Sequence, residues 1–443
     1  MQFIFLNLNM LKKISGWGLN TKYQVNLFFP KNINQLKKKI KPNCIARGAG
    51  RSYGDSAIQP ACTIGTKNLN KILKFDQSKG IIEVESGITI ENLLNKIVKK
   101  GWFLPVTPGS KYITLGGMIA SDVHGKNHHK VGSFRNFILN LGVLDENKKI
   151  IKCSKIKNKK LFNYSIGGMG LTGIIYSCTF KLKKIKSDLI SIETIKNKDL
   201  NETISCINNS KNWDYNVAWI DTSASSKYIG RSILTRGNFS IEKKKMNYEI
   251  KKTIDFSIIY KILPNFFINK VLIKVLNEIY FFFTKEKKEI VSIDKFFYPL
   301  DTIKNWNEVY GNKGFVSYQC SFPLKNSKKI IRLILKILKS NRVYSFVSVL
   351  KSMGKNNKYL SFGQEGYTLV FDFPCCRKLM NTLKLIDELI LRYKGKIYLC
   401  KDSRISKKHF KNINKEFNNK VFRNLRYIKK NFFKSIQSER LGI

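Results

Sequence analysis

Three glycine-rich stretches and one lysine carry most of the chemistry readable in these 443 residues. In ARGAGRSYGD, Gly48, Gly50 and Gly54 follow a GxGxxxG spacing. Glycines permit left-handed backbone and close approach, so successive N–H groups can form a nest around phosphate oxygens. The spacing misses both GxGxxG and GxxxxGK, so an anion cradle and a structural turn are both open readings. The second stretch, PVTPGSKYITLGGMIASDVHGKNHHKVGSFRN at 105–136, sets Gly109, Gly116, Gly117, Ala120, Ser121 and Gly125 where a flat, bulky ligand could lie against backbone. Ser121, Asp122, His124 and Asn127 could read its edge. His124, His128 and His129 invite a zinc reading, but no neighbouring Cys or Glu completes a usual ligand set, which leaves packed histidines or cofactor contact. In the third stretch, GGMGLTGII at 167–175, four glycines lead into a strand, as a tight turn or as backbone held close to a ligand. Lys401 follows the apolar run KIYLC. Desolvation there lowers an amine's pKa toward neutrality and makes it a base; kept protonated, it would grip a phosphate or a developing alkoxide. A strand-end surface lysine is the structural alternative.

Elements must position these groups. IIEVES reads as a strand, Gly87 as a turn, and Ile90, Leu93, Leu94, Ile97 and Val98 recur at helical spacing before Gly101. From 314 to 404 the order is FVSYQCSF, a helix carrying Ile330, Ile331, Leu333, Ile334, Ile337 and Leu338, SFVSVL, YTLVFDFP, a helix over 377–393, and KIYLC. That βαββαβ order predicts a ferredoxin-like layer, an antiparallel sheet covered by helices. Glycines thin out after about 187. The division is 1–186, 187–395 and a C-terminal segment 396–443 returning to the first unit, with an α+β fold and no visible internal repeat. In 255–283, Lys261, Pro264, Asn265, Lys270 and Lys274 interrupt the most apolar stretch, which predicts two amphipathic helices broken near Pro264 and no spanning helix. Their apolar side packs on the domain or faces lipid.

Composition bounds the rest. Lys and Arg number 81 against 30 acids, a net charge of +51, while 43% hydrophobic residues exclude wholesale disorder. Nine cysteines without a CxxC spacing argue against a disulfide scaffold or zinc ribbon, and no metal is expected. The start MQFIFLNLNMLKK places its apolar run before the basic pair and does not read as a signal peptide. The charge reads as a solvated lysine-rich surface or as attraction to anionic lipid. A nucleic-acid binder is suggested by charge alone, has no recognisable motif, and would leave the glycine loops idle; no nucleic-acid partner is expected.

Together the three stretches resemble the FAD-binding PCMH-type domain of the vanillyl-alcohol-oxidase superfamily, and within it the decaprenylphosphoryl-ribose oxidase family. The resemblance extends to SGWG at 15–18, AWIDTSA at 218–224, GRSILTRG at 230–237, WNEVYGNKGFVSYQ at 306–319 and KDSR at 401–404. It implies a PCMH-type domain of two α/β subdomains plus a substrate domain. By resemblance, FAD contacts Ala46, Arg47, Gly48, Ala49, Gly50, Arg51, Ser52, Tyr53, Gly54, Asp55 and Ser56, then Gly109, Thr114, Leu115, Gly116, Gly117, Ser121, Asp122, Val123, His124, Gly125 and Asn127, with Ile175 and Tyr398 completing the pocket. Tyr53, Tyr310, Gln319, Lys351 and Lys401 would line the sugar pocket, with Lys401, Tyr310 and His124 as catalytic candidates. Relatives that tether FAD through a histidine in a GxGHS pattern have it where this chain has Arg51. A guanidinium stays protonated and non-nucleophilic, so FAD is expected without a covalent link at this site. Ser317 stands where the family has a longer amide side chain, and Val370 where it often has cysteine. The implied reaction oxidises the 2'-hydroxyl of a polyprenylphosphoryl ribose to a keto sugar, and a separate NAD(P)H-dependent short-chain reductase completes epimerisation to arabinose. An aldonolactone or soluble sugar-alcohol oxidase is the alternative. A cytoplasmic location, or a peripheral one at the cytoplasmic membrane, is expected.

Overall fold

The computed structural model describes residues 11–242, 248–249, 253–256, 268–355, 359–428 and 432–443. Two sheets dominate its amino-terminal half, beside a two-stranded one that pairs Trp102–Phe103 with Lys183–Lys184. Leu11–Ser15, Lys22–Phe28, Thr63–Gly65 and Ile45–Arg47 form a four-stranded mixed sheet in that spatial order. Ile72–Asp76, Ile81–Glu85, Ile174–Lys181, Ile138–Leu144 and Ile150–Ser154 form a five-stranded antiparallel one. The helix Ile90–Ile97 starts where Thr89 accepts the Asn92 N–H and gives way to a short 3-10 turn closed by Gly101 in left-handed backbone. The architecture is α+β.

The second half builds one eight-stranded sheet in the spatial order Lys287–Ser292, Leu189–Asn197, Ser232–Phe239, Tyr215–Ile220, Ser348–Met353, Gly366–Pro374, Phe315–Pro323 and Lys396–Ile397. The last four strands, with the helices Ser327–Asn341 and Leu379–Arg392, make the expected ferredoxin-like layer. The first four repeat its strand order. Two βαββαβ-like units therefore meet edge to edge through Tyr215–Ile220 and Ser348–Met353, an internal repeat that the sequence pattern does not show. It is hidden because the second crossover of the first unit runs through 240–286 and sends its helix, Lys270–Phe283, to the other face. There the Tyr280 ring packs edge-on against Trp219 at 4.9 Å.

Period-two alternation gives the sheet two different faces. Ala218, Ile220, Leu234, Tyr318, Cys320, Leu350, Leu369 and Phe371 enter a core with Leu200, Ile207, Ile330, Ile334, Leu383 and Ile386 from three helices. Val217, Trp219, Ile233, Gln319, Val349, Lys351, Val370 and Asp372 face a cavity against the amino-terminal half. The two halves are joined by an apolar cluster in which Phe103, Tyr215, Phe239 and Phe297 stack at centroid distances of 4.9–6.3 Å. Of the apolar 255–283 stretch, Ile254–Asp255 is a short strand beside Ile303–Lys304 and Lys270–Phe283 is a helix capped by Asn269. Lys261, Pro264 and Asn265 lie outside the described residues, as does the start of the chain to residue 10.

The carboxyl-terminal segment packs on the first glycine loop. Tyr53 N–H donates to the Cys400 carbonyl at 2.9 Å, and a Cβ on Gly54 would fall 2.2 Å from the Asp402 carbonyl. Arg440 forks onto Asp55 at 2.9 and 3.0 Å and reaches Asp402 at 2.9 Å. Replacing Arg440 by Ala leaves two buried carboxylates without their counter-charge. We expect a loss on the order of 3 kcal/mol in denaturant unfolding, with Arg440→Lys recovering only part because an ammonium cannot fork.

Candidate active site

A cavity of about 960 Å³ runs between the glycine loops and the inner face of the large sheet, at the upper end of the size range of cofactor and ligand pockets. Its floor is backbone. A Cβ on Gly48 would fall 2.0 Å from Thr114 Oγ1, so only glycine lets the loop lie against the start of the helix Leu115–Ala120. Gly50 adopts φ +69°, which turns the next residues into the cavity. Arg51 there lays its guanidinium 3.6 Å from the Trp17 ring centre. Two buried polar atoms on the cavity wall, Ser86 Oγ and His124 Nδ1, have no protein partner.

His124 is held by the sheet. The Gln319 amide nitrogen has two hydrogens: one goes to His124 Nε2 at 2.8 Å, the other to Thr368 Oγ1 at 3.1 Å, while Thr368 donates its own proton to the Cys320 carbonyl. An amide NH₂ can only donate, so His124 Nε2 accepts and the ring proton sits on the unpartnered Nδ1. Phe362 and Tyr398 enclose the ring at 5.4 and 5.2 Å. Burial, then the charges of Lys351, His128 and Lys401, push His124 well below the usual imidazole range. His128 accepts the Gly354 N–H, and His129 is seated against the Trp213 carbonyl. The three histidines thus serve separate partners, and among the described residues no group of three or more His, Cys, Asp or Glu is placed to hold a metal.

Lys401 reaches the cavity from the turn after Tyr398. Its Nζ donates to Ser317 Oγ at 3.2 Å, lies 3.9 Å from Asp372 Oδ1 and sits 4.3 Å from the Tyr53 ring centre. Burial lowers its pKa, against the pull of Asp372. Lys351 is pushed down to about 8 by burial and then by Lys401, and Lys126 to about 7 by burial and then by Lys351. Lys126 donates to the Phe296 carbonyl and lies over that ring. A row of amines thus crosses the cavity wall.

Most of the residues singled out in the sequence come together here: Ala46, Gly48, Ala49, Gly50, Arg51, Ser52, Tyr53, Ser56, Gly109, Thr114, Gly116, Gly117, Ser121, Val123, His124, Gly125, Ile175, Gln319, Lys351, Tyr398 and Lys401 all line the cavity. Others do not. Arg47 turns back to donate to the Ser15 carbonyl, Gly54 and Asp55 face the carboxyl-terminal segment, and Leu115 is core. Asp122 accepts from Ser361 and Arg135, and Asn127 donates to the Pro105 carbonyl. Tyr310 stacks on Phe315 at 4.4 Å, behind the cavity wall. Sequence reasoning missed Lys126, Thr368 and Asp372. Asp372 had a signal, a lone carboxylate inside the apolar strand VFDFP, and Lys126 stands between two residues that were named.

A family model described as FAD binding domain matches residues 28–154. The chain is 28% identical over 420 residues to decaprenylphosphoryl-beta-D-ribose oxidase of Mycolicibacterium smegmatis, covering 90% of each protein. It carries a PCMH-type FAD-binding domain and is an FAD-dependent oxidoreductase. Two other relatives cover less. D-lactate dehydrogenase of Anaerostipes hadrus is 28% identical over 37% of this chain and 35% of that protein. L-gulonolactone oxidase of Bos taurus is 29% identical over 33% of this chain and 32% of that protein. The glycine-walled cavity with its two unpartnered polar atoms fits FAD: the loop over 48–52 would offer N–H groups to the pyrophosphate, and Ser86 and His124 would offer polar edges. Among the described residues no helix is long and apolar enough to cross a membrane.

The Gln319 contact makes a direct prediction about this flavoenzyme. Nitrogen-15 spectra of the histidine rings should show His124 neutral at pH 7 with its proton on Nδ1, because burial lowers its titration well below the usual imidazole range. Gln319→Met should release the tautomer; a wild-type signal from an Nε2–H ring would contradict the assignment.

Proposed function

We propose that this flavoenzyme oxidises a secondary hydroxyl of a sugar carried on a polyprenyl phosphate, the 2'-hydroxyl of a ribose being the best-supported case. The observation that carries the reading is one cavity with two kinds of wall. At the flavin end it is glycine backbone, Tyr53, His124, Gln319 and Lys401; on the strands beyond Lys351 the apolar side chains of Val217, Trp219, Ile233, Tyr280, Phe283 and Val349 predominate beside Thr194, Thr235 and Glu289, and Lys285, Lys287 and Lys295 also line it. A sugar phosphate suits the amines and a prenyl chain suits the apolar arm. The near-full-length likeness to a decaprenylphosphoryl-ribose oxidase supports the same substrate class, whereas the lactone-oxidase likeness stops at a third of the chain.

When bound, FAD supplies acceptance of a hydride from the carbinol carbon. The chain does the rest. Neutral Lys401 takes the hydroxyl proton, Lys351 and Lys126 offset the charge of the phosphate, and Gln319 fixes the His124 ring so that its Nδ1–H is held in one orientation. Arg51, stacked on Trp17 where a histidine would make a flavin bond, supports non-covalent FAD. A keto product would then be taken by a separate NAD(P)H-dependent short-chain reductase.

Substrate entry follows from the helix Lys270–Phe283. Val271, Val275, Ile279, Phe282 and Phe283 are exposed on it, and Phe283 also lines the cavity. Such an aromatic and aliphatic face beside Lys270 and Lys274 suits peripheral contact with an anionic membrane from which a lipid-linked sugar enters.

Three outcomes test this reading. Acid precipitation should leave the flavin absorbance in the supernatant; a yellow pellet would contradict non-covalent binding. Anaerobic mixing of Lys401→Ala with prenylphosphoryl ribose should bleach the flavin at least about 100-fold more slowly than wild type, and a wild-type rate would remove Lys401 from the chemistry. Lys126 and Lys351 are cationic below, and neutral above, about 7 and about 8. Affinity for a prenyl phosphate, read by flavin fluorescence, should therefore fall several-fold between pH 6.5 and 9.

A further inference from the structure

We propose that Ser317 and Asp372 form a proton relay behind Lys401, and that this relay sets the neutral amine free to act as a base. The inference rests on the reading of Lys401 given above and adds two residues to it. Ser317 and Asp372 stand directly opposite each other on paired strands and share the inner face of the sheet. Ser317 Oγ lies 2.5 Å from Asp372 Oδ1 and 3.2 Å from Lys401 Nζ. The lysine and the carboxylate are 3.9 Å apart, beyond hydrogen-bond reach, so the hydroxyl is their link. A serine hydroxyl can accept and donate at once, which the longer amide expected at position 317 does not do with a mobile proton.

The step balances without an outside reactant. A Lys401 Nζ–H bond breaks as an Oγ–H bond forms, and the original Ser317 Oγ–H bond breaks as Asp372 Oδ1–H forms. Ammonium and carboxylate become amine and carboxylic acid, with no change in net charge and no electron transferred. Both Ser317 and Asp372 are almost wholly buried, at 2% and 1% exposure, and burial narrows the gap between the resting charged pair and the neutral one, so the transfer is within reach during turnover. Burial indeed raises Asp372 and lowers Lys401. The other titratable groups around the cluster are Tyr53 beneath Lys401, Tyr310 near Asp372, Cys400 beside Lys401 in the chain, and Lys351 and His124 across the cavity. The charge of Lys401 in turn lowers Lys351.

The coupling can be read without substrate. In the holoenzyme, the pH dependence of Lys401 acetylation by acetic anhydride, followed by peptide mass spectrometry, gives the midpoint of that one amine. Asp372→Asn should move the midpoint down by about one pH unit, because the carboxylate that favours the ammonium is gone. Ser317→Ala keeps both charges and should leave the midpoint within a few tenths of a pH unit. Its flavin bleaching by a prenylphosphoryl sugar should nevertheless slow at least about tenfold and lose its solvent deuterium effect, and Ser317→Thr, which keeps the hydroxyl, should restore both. An unmoved midpoint in Asp372→Asn, or wild-type bleaching in Ser317→Ala, overturns the relay alone. Wild-type enzyme that no sugar alcohol bleaches overturns the oxidation reading, and the relay's role with it, even if the midpoint moves as expected.

Discussion

Everything at the active site depends on the two-sidedness of one sheet. Side chains alternate across a strand, so a sheet covered by helices on one face must present every second residue to whatever lies opposite. Here the opposite layer is the FAD-binding half, and the residues presented are Ser317, Gln319, Lys351, Val370 and Asp372, from three neighbouring strands. Register does the fine positioning. Ser317 faces Asp372, Gln319 faces Val370, and Lys351 faces Thr368, so one slip in pairing would exchange this polar row for Tyr318, Cys320 and Phe371. The helix-side core, with Ile330, Ile334, Leu383 and Ile386 filling it, is what prevents that slip.

Burial then divides the work between chemically similar groups. Lys126, Lys351 and Lys401 line one cavity, yet their neighbours differ. Lys126 has a carbonyl and an aromatic face, Lys351 feels chiefly burial and another ammonium, and Lys401 has a hydroxyl and a carboxylate. The same low-dielectric setting keeps His124 neutral and makes the direction of the Gln319 amide decisive, since a ring that cannot be charged must have its single proton on one nitrogen. The site is therefore organised by desolvation and by a few oriented hydrogen bonds more than by paired charges.

The carboxyl-terminal segment closes the arrangement. The chain leaves the last strand of the sheet at Ile397 and crosses to the first glycine loop, where the Tyr53–Cys400 backbone bond and the Arg440 fork fix it. Lys401 is carried on that crossing. Its place between Tyr53 of one half and Ser317 of the other follows from the carboxyl-terminal segment being held against a loop near the start of the chain.

Local rules sufficed for what depends on near neighbours in the chain. Alternation marked FVSYQCSF and YTLVFDFP as strands, helical spacing marked Ile90–Ile97 and the helix around Ile334, and glycine spacing marked the loops that wall the flavin pocket. The likeness of those motifs to known flavoproteins indicated the cofactor. Long-range placement was another matter. Asp55 and Asp122 sit in the right motifs but spend their carboxylates on Arg440 and on Ser361 and Arg135, the Asn127 amide nitrogen is taken by the Pro105 carbonyl, and Tyr310 lies behind Phe315. The duplicated strand order was invisible because one crossover helix moved to the opposite face, and the Ser317–Asp372 pair because its members are 55 residues apart. Composition and periodicity report which groups a segment contains and which face they share; only strand register and the meeting of two layers determine which of those groups touch, and hence which of them can pass a proton.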